Sequence, residues 1–154
     1  MIERNIRTGM PNTPSVLNPI YKMMIVLMLL KHSTLEKGVT IGRIQVYLWG
    51  MSSRKNRSTL SSYRKNGMIN ELPITPDSNL RILLTEVEQR GWIEQVEDNQ
   101  NKMRYLLTLQ GQAFLYNLRN MDIYKEIETG FKEIGNLPET KLNNINYIWS
   151  YDVF

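Results

Sequence analysis

Eight consecutive apolar residues, MMIVLMLL at 23–30, interrupt a chain that is otherwise polar and basic. Asn18-Pro19 opens a helix ahead of them, since proline is tolerated in a first helical turn, and Lys31 marks its approximate end. The run is too short for a bilayer, which takes about 20 apolar residues. KHSTLEKG follows it, where a secretion signal would show a small-residue cleavage site. A helix lying on a membrane surface needs a broad polar face, and this one has none. The pattern predicts a helix buried over most of its surface.

Downstream the period changes from element to element. Ile41, Ile44, Leu48 and Met51 keep helical spacing behind Thr40, a candidate N-cap. A polar stretch follows, predicted to hold a short helix near Ser58 to Lys65 that Asn66-Gly67 ends. Leu80, Leu83, Leu84 and Val87 define a helix over 79–90, capped by Asp77 or Ser78 and stopped by Gly91. WIEQVE and MRYLLT read as two strands joined by the turn DNQNK. Thr108 then caps a helix whose apolar face is expected at Phe114, Leu118 and Met121. Pro138 suits another first turn, after which Leu142, Ile145 and Trp149 share a face. Residues 1–16, with Pro11 and Pro14, read as a flexible N-terminal arm. The expected organisation is that arm, a domain over 17–128 with a basic insert at 52–78, and an aromatic helical tail over 129–154. The fold class is mostly α with a small β-hairpin.

Composition narrows the chemistry. At 154 residues the chain suits one domain with appendages. It has no cysteine, which excludes disulfides and thiolate metal sites and makes a reducing cytoplasm the expected compartment. Lys+Arg number 19 against 15 Asp+Glu, a mild excess that permits nucleic-acid contact without requiring it. His32 is the sole histidine, so a histidine metal site is not expected; it reads as a polar group at a helix end. The serines show no nucleophile elbow, and no glycine-rich loop cradles phosphate. The expectation is a protein that is not an enzyme and takes no cofactor or metal.

The stretch LLTEVEQRGWIEQVEDNQNKMRYLLTLQGQAFL carries the most specific pattern. Gly91 permits a left-handed turn from helix to strand, and Gly111 lets the next helix pack closely. Its Arg104-Tyr105-Leu106-Leu107-Thr108 and Gly111 resemble the wing of winged helix-turn-helix domains of the MarR and PadR type. Residues LNPIYKMMIVLMLLKHS, the insert SSRKNRSTLSSYRKNG and NLRILLTEVEQRGWIE also resemble the small middle component of bacterial ABC-three-component systems. Such proteins are similar to MukE-type and Lamassu-type accessory subunits. That resemblance implies a non-enzymatic winged-helix adaptor bridging an SMC-like ABC ATPase and an effector in a DNA-sensing anti-phage or anti-plasmid complex, with DNA inside the complex. The alternative is a MarR/PadR-type DNA-binding transcriptional regulator acting as a homodimer through its terminal helices.

Charge separates these readings. In a winged helix the helix before the wing enters the major groove. Helix 79–90 carries Arg81 and Arg90 against Glu86 and Glu88, and the hairpin leads with Glu94, Glu97 and Asp98. Duplex affinity comes largely from Lys and Arg displacing counterions, so this face fits a protein better than DNA. Arg81, Glu88, Glu97 and Asp98 are therefore candidate partner-binding residues. Tyr147, Trp149, Tyr151 and Phe154 join them as an aromatic anchor, unless they complete the core. Basic residues gather elsewhere: Arg54, Lys55, Arg57, Arg64 and Lys65 form either a solvated loop or a phosphate-contacting patch, with Ser58, Ser61, Ser62 and Tyr63 nearby.

Overall fold

In a computed structural model the described residues are 18–33, 37–67 and 79–145. They form seven helices and a small sheet. Helix α1 is Pro19–His32, followed by strand β1 (Val39–Thr40), α2 (Ile41–Met51), α3 (Arg54–Asn66) and α4 (Leu80–Gln89). Strands β2 (Ile93–Glu97) and β3 (Met103–Leu107) make the hairpin, and α5 (Leu109–Leu118) and α6 (Asp122–Ile134) follow. A last helix, α7, spans 139–145.

Helix α1 is the centre of the core. Asn18 Oδ1 accepts from the Ile20 and Tyr21 amides and so starts it. Every residue from Met23 to Leu30 is buried, as the unbroken apolar run requires. Around it pack α2, α4, α5, α6 and strand β3. Among the described residues no helix is long and apolar enough to cross a membrane.

The sheet has one more strand than the sequence pattern indicates. Its order is β1-β3-β2, antiparallel throughout, with Val39 opposite Tyr105 and Ile93 opposite Leu107. Two residues are too few to display a period. Thr40 ends β1 and caps α2 at once, its Oγ1 accepting from the Arg43 amide at 3.3 Å. The helix-to-hairpin passage is as expected: Gly91 sits at φ +81°, in the left-handed region. A side chain at Gly111 would run into the Trp92 carbonyl, so glycine there lets α5 lie directly on the strand entrance. Thr108 caps α5, accepting from the Gly111 amide at 3.0 Å while donating to the Gly91 carbonyl. Trp92 and Phe114 stack across this junction at 3.9 Å.

Four expectations need correction. Helix α3 begins at Arg54 rather than near Ser58, because Ser53 caps it by accepting from the Asn56 amide. Only Leu60 and Tyr63 are buried in it, too few to reveal its length by periodicity. The N-cap of α4 is Asn79, which makes no side-chain capping bond to the helix; Asp77 and Ser78 lie outside the described residues. On α5 the buried positions are Gly111 and Leu115, with Phe114 and Leu118 half-buried. Met121 is exposed, because the chain has already turned toward α6. Helix α6 itself was not anticipated. It runs unbroken across residue 128, burying Tyr124, Ile127, Gly130 and Ile134 on one face. The N-terminal arm and Trp149 lie outside the described residues, while Leu142 and Ile145 of α7 are buried.

Candidate interaction surfaces

The five basic residues of the insert share helix α3 but not one environment. Arg57 turns toward α6, where its Nε donates to Glu133 at 2.8 Å. Arg64 does the same further along, its Nε donating to the Ile134 carbonyl at 2.6 Å. Both side chains thereby fasten α3 to α6. Arg54, Lys55 and Lys65 are exposed, as are Ser58 and Ser62, so the outward stripe of α3 is basic and hydroxylic. Positions 54, 58, 61 and 65 recur at helical spacing on that stripe. Arg57 and Arg64 are thus already engaged within the fold.

Helix α4 presents Arg81, Ile82, Thr85, Glu86, Glu88 and Gln89 to solvent. Burial of Leu80, Leu83, Leu84 and Val87 against α1 and β2 fixes which face that is. Thr85 donates to the Arg81 carbonyl and so turns its hydroxyl back on the helix. Ile82 is 63% exposed, an apolar residue that sequence periodicity did not single out because it breaks the helix's own pattern. Glu97 is exposed at the end of β2.

Asp98 is held within the hairpin turn. Its Oδ1 accepts from the Gln100 and Lys102 amides, and its Oδ2 accepts from Arg104 Nε at 2.8 Å. Its side chain is only 9% exposed. The Arg104 hydrogen bond, followed by the Lys102 amide, holds its carboxyl down at about 2. Arg104 also donates to the Gly38 carbonyl, tying the hairpin turn to the approach of β1. The pair cancels its own charge, so the hairpin's outward charge is set by Glu94 and Glu97 against Lys102. The tail residues Tyr147, Trp149, Tyr151 and Phe154 lie outside the described residues.

No family model, curated protein or solved structure matches this chain. Among the described residues no cluster of three or more His, Asp or Glu side chains is arranged to hold a metal ion. A groove of about 820 Å³ runs beside Tyr21, Met51 and Gly130. Arg54, Arg57 and Lys125 there face Asp122, Glu126 and Glu133, so the groove has no preference for either sign of charge.

A second concavity was missed by sequence reasoning altogether. Arg43 is buried, its guanidinium donating to Asn136 Oδ1, the Leu137 carbonyl and Glu139. Tyr47 bridges the same turn, donating to the Gly135 carbonyl at 2.7 Å and accepting from the Leu137 amide at 3.0 Å. These side chains meet across about 90 residues of sequence, which no local pattern reports.

Proposed function

We propose that this chain is a winged-helix adaptor without catalytic activity, which bridges an SMC-like ABC ATPase and an effector in a DNA-sensing anti-phage or anti-plasmid complex. The element order supports the winged-helix reading: helix, short strand, helices, hairpin, closing helix, with β1 added to the second hairpin strand. The hairpin is then the wing and α4 the helix that would address a groove.

One observation carries the adaptor reading. The solvent face of α4 sets Arg81 against Glu86 and Glu88 and places the exposed Ile82 among them. Such a face offers no net cation to a polyanion, and burying Ile82 rewards contact with another polypeptide. The exposed Arg54, Lys55 and Lys65 of α3 are the residues that would touch DNA within the assembly, weakly and without sequence selectivity.

Titration of the purified chain with labelled duplex DNA tests this. Weak binding that fades between about 50 mM and about 200 mM salt is expected. Co-purification with an SMC-like ATPase encoded beside it is the positive outcome. Tight, sequence-selective binding by the isolated chain at physiological salt would instead establish a regulator of the MarR or PadR type.

A further inference from the structure

A cavity of about 290 Å³ opens between α1, α2 and the end of α6. Leu29, Tyr47 and Phe131 form its apolar wall. Phe131 meets the His32 and Tyr47 rings edge-on, each with centroids 6.1 Å away. The charged groups on its lining are Arg43 and Lys132 against the single carboxylate of Glu128.

Arg43 is the unusual member. Its side chain is 10% exposed, and a buried cation is costly unless its donors are well paired. Its three partners stand at 3.3, 3.1 and 3.4 Å. Charge-assisted bonds normally close to about 2.7–2.9 Å. The Arg43 guanidinium lies 6.0 Å from the centroid of the Tyr47 ring. A guanidinium has five N–H groups, more than these three partners take up. Of these partners only Glu139 is charged, and it stands off the cavity lining with its side chain 51% exposed, whereas the groove near Tyr21 carries three carboxylates on its own lining.

We propose that this cavity is a binding site for a small organic monoanion, with its carboxylate against Arg43 and Lys132 and its apolar body between Tyr47 and Phe131. The volume matches about ten water molecules at roughly 30 Å³ each, which limits the ligand to metabolite size. Glu128 on the lining disfavours a second negative charge. The site stands apart from the adaptor reading, and neither depends on the other.

The sole histidine of the chain lines this cavity, so its ring proton resonance is an unambiguous reporter. Burial pushes the His32 imidazole below its ordinary value, with Lys31 and Lys132 adding to the effect and Glu128 opposing it. An anion seated beside Lys132 offsets those cations and moves the His32 midpoint upward. The experiment is a proton NMR titration of the full chain with benzoate and with benzamide, its neutral counterpart of like shape. Benzoate is expected to shift the His32 resonance saturably and raise its midpoint, while benzamide does neither. Lys132→Glu lies on an exposed position, and its unfolding curve checks that the fold persists. That variant is expected to bind benzoate about tenfold more weakly or worse. Equal shifts from benzoate and benzamide, no saturation by about 20 mM benzoate, or unchanged affinity in the folded Lys132→Glu variant would each overturn the proposal.

Discussion

Arg64 on α3 caps the C-terminus of α6, its Nε 2.6 Å from the Ile134 carbonyl. Lys141 on α7 answers by donating to the Tyr63 and Arg64 carbonyls at the end of α3, at 2.7 and 3.0 Å. The last carbonyls of a helix have no partner within it, and a cation there also opposes the helix dipole. Three helices are therefore locked end to side by two basic residues that read, in the sequence, as members of a charge run and a tail.

Arg64→Ala should lower stability by about 1–3 kcal/mol, the range for losing a charge-assisted bond to a partly buried carbonyl. Gly135→Ala should act at the same place, because Gly135 sits at φ +77° and an added Cβ would press on the Arg64 guanidinium, with Cζ at 2.6 Å. Lys65→Ala, one residue along and exposed, should stay within about 0.5 kcal/mol of the parent. Urea unfolding midpoints distinguish the three.

Leu27 in the middle of α1 is completely buried. Leu27→Ala removes apolar contact on every side of the central helix and should cost about 2–5 kcal/mol. Ile82→Ser removes an exposed side chain and should cost almost nothing. Thermal unfolding followed by circular dichroism separates them, and an undisturbed Leu27→Ala protein would contradict the placement of α1 at the core.

Asp98 makes the hairpin turn sensitive to acid. Its folded pKa, about 2, lies below that of an unpaired carboxylate. A depressed carboxylate contributes stability that is present above its unfolded pKa of about 4 and is lost as pH falls through the folded value. The turn should hold above about pH 4 and loosen toward about pH 2. Amide exchange at Gln100 and Lys102, both donors to Asp98, reads this directly. Asp98→Asn should raise their exchange at neutral pH and abolish the acid dependence.

The exposed face of α4 supplies the functional test. Ile82→Asp should leave the unfolding midpoint unchanged and weaken binding to an SMC-like ATPase about tenfold or more, as expected for an apolar contact at the centre of an interface. Charge reversal at Arg54 and Lys65 should leave that affinity intact while reducing the weak DNA binding. The opposite pairing of effects would assign the partner surface to α3.

Local periodicity carried most of the fold. MMIVLMLL fixed a buried helix because an apolar residue at every position leaves no face for water. Thr40 and Thr108 announced their helices because a capping hydroxyl acts within three residues. Gly91 marked the turn because few other residues adopt its backbone angles. Elements with little apolar signal were harder: α3 buries only Leu60 and Tyr63, and β1 has only Val39 and Thr40.

Side-chain partnership was the part that only the folded chain decided. The sequence establishes that Arg57, Arg64 and Asp98 are charged, that 52–67 is basic and that the hairpin is acidic. It cannot say that Arg57 and Arg64 are held by α6, or that Asp98 neutralises Arg104 within one turn. Nor does it bring Arg43 and Tyr47 to the 135–139 turn and so outline a cavity. Capping, periodicity and turn chemistry act over a few residues and leave their mark in the local sequence. Ion pairing and cavity formation depend on distances through space, which the sequence records only through the packing of the whole chain.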